Sequence, residues 1–154
     1  DYFKDELNAT IISDELCLTL NGKRFYIHHG DGLGPGDNKY KFLKKFFRSP
    51  FCQCLFARLH PNLGIGIATA WSKHSQISNN EDEKFLGDDK EWLIQYAKEV
   101  NLRTPYDFFL FGHRHLPYTV NIHNDATIIN LGEWINYQTY AVWDGEQLKL
   151  ETWS

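Results

Sequence analysis

The stretch Phe25-Tyr26-Ile27-His28-His29-Gly30-Asp31-Gly32 decides how this chain is read. Arg24–His28 alternates as a strand should, and it runs directly into a histidine- and glycine-bearing loop. Upstream, Glu15–Leu20 also alternates, and Asn21-Gly22 joins the two runs. Asn-Gly between alternating runs is the strongest short-range hairpin signal, because both turn positions need positive φ. A second stretch repeats the arrangement. Phe108–Phe111 is an apolar run too short for a buried helix and suited to a buried strand. It ends in Gly112-His113-Arg114-His115. In layered sheets, ligand sites collect where strands give way to loops.

The rest of the chain fills in around these two stretches. A turn-rich loop, Gly32–Asp37, leads to helical segments expected at Lys39–Phe47, Phe51–Leu59 and Gly64–Ser72, with Pro50 and Pro61 as punctuation. Ser78–Asp82 reads as a polar loop. Asp88 or Asp89 is the expected cap of a helix running to Val100, with Trp92, Leu93, Tyr96, Ala97 and Val100 on one face. Strands are expected at Tyr118–Ile122, Ala126–Leu131, Thr139–Trp143 and Gln147–Trp153, the last two joined by Asp144-Gly145. Trp134 is expected in the core, and Cys52 and Cys54 as buried or half-buried thiols. The order of elements predicts an α/β or α+β layered domain over residues 1–154, with a helical insertion at about 38–80.

Composition narrows the class. In 154 residues, 42% are hydrophobic and 16% aromatic, enough for a real core. No run of about 18 apolar residues exists, so no transmembrane helix is expected, and no N-terminal secretory pattern is present. Three cysteines, two of them spaced as Cys52-x-Cys54, fit a reduced, cytoplasmic compartment better than a disulfide framework. The chain holds no methionine and starts at Asp1, which predicts a processed or truncated piece of a longer protein.

Charge is unevenly spread. Between Asn38 and Asn80 lie seven basic residues, namely Lys39, Lys41, Lys44, Lys45, Arg48, Arg58 and Lys73, and no acidic one. The formal charge of the whole is −4, so the rest is strongly acidic. A single-sign block of this kind suggests an anionic partner. Phe42, Leu43, Phe46, Phe47, Phe51, Leu55 and Phe56 are interleaved with it, which reads as an amphipathic surface segment or a cap over an apolar ligand. An ordinary helical subdomain packed on the core would bury the same side chains.

Seven histidines are present. His60, His74 and His123 stand alone and are read as structural. His113 and His115 differ, because they follow a strand and a glycine that lets the backbone approach a metal or phosphate closely. Imidazole suits Zn, Mn, Fe and Ni. Together with His29-Gly30-Asp31 they make half of a metal site, since two-metal phosphate chemistry also needs a bridging carboxylate.

These residues resemble a family. Phe25–Gly32, the glycine-rich turn ending in Asp37, Tyr40, and Phe111–Pro117 (FGHRHLP) are similar to the C-terminal half of the calcineurin-like metallophosphoesterases, bacterial lipid A pathway UDP-2,3-diacylglucosamine diphosphatases being the closer match. The resemblance covers about Ile12 to Trp153. It implies a metallophosphoesterase β-sandwich flanked by helices, with the insertion as a lipid-holding cap. It implies two divalent ions, manganese in the family: His29 and His113 would bind one, His115 the other, and Asp31 would orient the loop. Asp37, Tyr40, Ser72 and Lys73 become candidate sugar or phosphate contacts. The implied reaction cuts the pyrophosphate of a lipid-linked nucleotide sugar to UMP and a lipid-sugar 1-phosphate, on the anionic inner-membrane surface from the cytoplasmic side, with no nucleic-acid polymer as partner.

The family motifs DxH, GDxxD and GN(H/R)D are absent here. They supply the bridging Asp and further ligands and precede the region matched. The chain is therefore expected to be a C-terminal portion, inactive alone, with sheet edges left unpaired. The alternatives are another metallophosphoesterase, acting on nucleotides or proteins, or a non-catalytic module binding an anionic membrane or a partner.

Overall fold

The computed structural model describes residues 2–34, 42, 45–78 and 84–153, with the side chains of 73–78 and of 124 outside the description. In chain order, the helix α1 (Tyr2–Asp5) precedes β1 (Glu15–Leu20) and β2 (Lys23–His28). A helical turn at 45–48 leads to α2 (Pro50–Phe56) and α3 (Pro61–Ser78). Next come α4 (Trp92–Arg103), β3 (Phe108–Phe111), β4 (Tyr118–Ile122), a 3-10 turn (His123–Asp125), β5 (Ala126–Asn130), β6 (Thr139–Trp143) and β7 (Leu148–Thr152).

The strands form a five-stranded sheet of order β1-β2-β3-β5-β4 and a separate β6–β7 hairpin. β2, β3 and β5 run parallel in its centre, and β1 and β4 are antiparallel edges. The β1–β2 register follows from the turn: Asn21 and Gly22 take φ of 49° and 79°, so Leu20 faces Lys23 and Glu15 faces His28. β2 and β3, being parallel, need a crossover, and α4 lies on it.

Strand alternation then sorts side chains to two faces. Tyr26, Phe109, Phe111 and Ile128 pack with Leu93, Ile94 and Ala97 of α4 in one core cluster. Phe109, Leu93, Ile94 and Ile128 are fully buried; each such side chain contributes about 1.5–3 kcal/mol relative to exposure. On the opposite face Phe25 and Phe108 meet Trp143 of β6 edge-on, at ring-centroid distances of 5.1 and 5.3 Å. The result is helix, mixed sheet and hairpin in layers, a mixed α/β arrangement. In the β6–β7 turn, Asp144 accepts from the backbone N–H of Gln147 and Glu146 and from Lys149, which holds its carboxyl down at about 2.

Several expectations need correction. α4 is capped neither by Asp88 nor by Asp89: Glu91 is the N-cap residue, and its side chain makes no cap hydrogen bond. α4 also runs past Val100 to Arg103. α3 starts at Pro61, where proline's fixed φ suits the first turn of a helix rather than ending one, and runs on to Ser78. The rest of the expected polar loop, 79–82, lies outside the described residues. Trp134 is 58% exposed and not in the core, where Gly132 at φ 74° turns the chain away from β5. Cys52 is half-buried as expected, but Cys54 is exposed.

Among the described residues of the insertion, the large apolar side chains are not packed into the core. α2 has no buried residue, and Phe46, Phe51, Leu55, Leu63, Ile65 and Trp71 are at least half exposed. Phe47 and Trp71 meet edge-on at 5.9 Å, joining the turn at 45–48 to α3. No helix among the described residues is long and apolar enough to cross a membrane.

Candidate metal centre and cleft

The parallel pairing of β2 and β3 brings the two histidine loops side by side at the carboxyl ends of the strands. The His29 carbonyl accepts two backbone bonds from the other loop, from Gly112 N–H at 3.0 Å and His113 N–H at 2.7 Å. This places the His29 and His113 rings 5.4 Å apart and nearly perpendicular, at 80°. Trp92, the first residue of α4, meets the His113 ring at 5.9 Å.

Gly30 is what permits this approach. Its φ is 111°, and a Cβ there would lie 2.9 Å from His113 Cβ and 3.2 Å from Leu93 Cδ2. Gly112, given that role in the sequence reading, is less demanding: a Cβ would sit 3.6 Å from His29 Nδ1, an ordinary contact. His28 is buried, its Nδ1 accepting the Gly30 N–H at 2.7 Å, so it braces the loop.

His29 is exposed and His113 half-buried, so both rings can reach a ligand. His115 is exposed as well. Among the described residues, no three His, Cys, Asp or Glu side chains gather closely enough to hold a metal ion. The donor chemistry therefore fits in part. Two neutral imidazoles are suitable ligands for a divalent transition metal, but a catalytic ion commonly takes three protein ligands or more.

Beside the loops opens a cleft of about 670 Å³, lined by Asp14, His28, Asp31, Leu33, Lys45 and Arg48 among others. Asp31 thus stands on the wall of this cleft. Arg48 donates to Asp14 at 3.3 Å and to the Ser13 carbonyl at 2.8 Å, tying the basic insertion to the segment before β1. Asp37 and Tyr40 lie outside the described residues. Ser72 is exposed on α3, and Lys73 follows it in the same helix, its side chain outside the description. Lys45 and Arg48 were visible in the sequence only as members of the charge block; their place on the cleft wall needed the fold.

Two further residues carry no local signal. Arg114, between His113 and His115, is 4% exposed and donates to Glu91, which is fully buried, at 3.1 Å. Asn130, at the end of β5, is also fully buried and donates to the carbonyls of Arg114 and Leu116.

No family model matches the chain. Among curated proteins, it is 36% identical to the UDP-2,3-diacylglucosamine hydrolase of Porphyromonas gingivalis over 99% of its own length and 63% of that protein's. It is 30% identical to the Photorhabdus laumondii protein of the same name, over 86% of this chain and 55% of that one. For the Proteus mirabilis protein of that name the figures are 29%, 78% and 50%. The chain thus spans between half and two thirds of the length of these relatives. The resemblance read from the HGD and GHRH loops is borne out: the chain is a homologue of the UDP-2,3-diacylglucosamine hydrolases, matched across nearly all of its own length to part of theirs.

Proposed function

We propose that this chain is the C-terminal part of a calcineurin-like metallophosphoesterase that hydrolyses the pyrophosphate of UDP-2,3-diacylglucosamine to UMP and the lipid-sugar 1-phosphate. The observation that carries the reading is the paired His29 and His113, joined by the His29 carbonyl at the ends of two parallel strands, in a homologue of proteins named for that hydrolysis.

In this reading His29 and His113 hold one divalent ion and His115 the second, with manganese the candidate metal. The remaining ligands come from the part of the relatives' length that this chain does not span. The bound ions would lower the pKa of a water and offset the charge that develops on the phosphorus oxygens. Asp31 and His28 keep the HGD loop in place. Lys45 and Arg48 give the cleft wall positive charge for a diphosphate, and Asp37, Tyr40, Ser72 and Lys73 remain candidate contacts to sugar or phosphate. The exposed apolar side chains of α2 and α3 support an acylated substrate, since packing on the core does not bury them. The segment between Asn38 and Asn80, with seven basic residues and no acidic one in sequence, suits a peripheral position on an anionic cytoplasmic membrane face.

The test uses the longer protein that contains this chain. Incubated with UDP-2,3-diacylglucosamine and Mn²⁺, it should release UMP and no UDP, and a chelator should stop release. Equal turnover of a UDP-sugar without acyl chains would remove the lipid substrate and favour a nucleotide phosphoesterase. No turnover of either would favour a binding module.

A further inference from the structure

We infer that the buried ion pair Glu91–Arg114 is a positioning device for the two histidines of the GHRH turn, and this rests on the metal reading above. Burying two charges is costly, and an apolar pair of similar volume is often as stable or more so. Stability alone is therefore a weak reason for Glu91 at 0% and Arg114 at 4% exposure.

The connections point elsewhere. Arg114 Nη2 donates to Glu91 Oε1 at 3.1 Å and to the Lys84 carbonyl at 2.7 Å. The same Glu91 oxygen accepts the Leu86 N–H at 3.0 Å. Glu91 directly precedes Trp92, whose ring meets His113. From the other side, Asn130 donates to the carbonyls of Arg114 and Leu116, at 2.5 and 2.7 Å. Residue 114 is thus held by side chain and main chain, and residue 116 by main chain. His113 and His115 flank one fixed residue and His115 precedes another. The start of α4 and the end of β5 together set the attitude of both imidazoles. Groups that orient metal-binding histidines typically change metal affinity 10–100-fold when removed.

The experiment titrates Mn²⁺ into the longer protein and two variants, and follows thermal unfolding in parallel. Glu91→Gln keeps shape and an acceptor for Leu86 but removes the negative charge that Arg114 meets at Glu91. Its Mn²⁺ affinity should fall about 10–100-fold. Glu91→Gln with Arg114→Met removes both charges, so its unfolding temperature should return toward that of the parent while its affinity stays low. Affinity that recovers together with stability would overturn the positioning role, as would a folded Glu91→Gln with unchanged affinity. If Glu91→Gln does not fold, the double variant alone decides. A parent protein that binds no Mn²⁺ removes the functional reading first, and the positioning role with it.

Discussion

Replacing His113 by alanine in the longer protein is expected to lower UMP release by more than about a hundredfold and to reduce bound metal at the same time. Loss of a group that merely orients a metal ligand costs 10–100-fold, and loss of the ligand itself must exceed that. The fold should survive. His113 is half-buried in a loop rather than part of the core cluster of Leu93, Phe109 and Ile128. Its backbone N–H, which donates to the His29 carbonyl, is kept in the variant. Measured turnover and metal content should thus fall while the unfolding temperature holds. Normal turnover in a folded His113→Ala protein would sink the site assignment.

Gly30→Ala should act through the fold instead. At φ 111° an alanine is strained by about 1–3 kcal/mol. The added Cβ at 2.9 Å from His113 Cβ is closer than real side chains come, and that atom is anchored to backbone, so the loops must part. Overpacking of this kind adds about 1–3 kcal/mol. The sum, roughly 2–6 kcal/mol, is a large share of the 5–15 kcal/mol that keeps a typical domain folded. Denaturant unfolding should show the loss. Metal affinity should drop too, because the shift separates His113 from His29. A Gly30→Ala protein as stable as the parent would mean the two loops do not touch as described.

Much of this arrangement was legible from local pattern. Asn21-Gly22 announced the hairpin and its register. The alternation of Arg24–His28 and the brevity of Phe108–Phe111 announced two strands, each ending at a histidine loop. What the sequence could not show is long-range pairing. Glu91 reads as one more acid near Asp88 and Asp89, and only the fold brings it to Arg114, 23 residues away. A short Asp is the better cap by propensity, yet Glu91 occupies that position because its carboxylate is needed by Arg114 and by the Leu86 N–H. Trp134 shows the opposite limit. A lone tryptophan outside any periodic segment has no face to declare, and the turn at Gly132 leaves it in solvent. The cleft lining was equally hidden: in the sequence Lys45 and Arg48 read as members of one charge block, and the fold brings them to the cleft beside Asp14.

Whether the two histidine loops hold metal is the central question for this protein. The most direct measurement is elemental analysis of the longer protein beside its His29→Ala/His113→Ala variant, each freed of loosely bound ions. About two divalent transition-metal ions per chain are expected in the parent, as two-metal phosphate chemistry requires, and at most one in the variant. Equal metal content in both proteins, or an active parent with none, would contradict the metal reading.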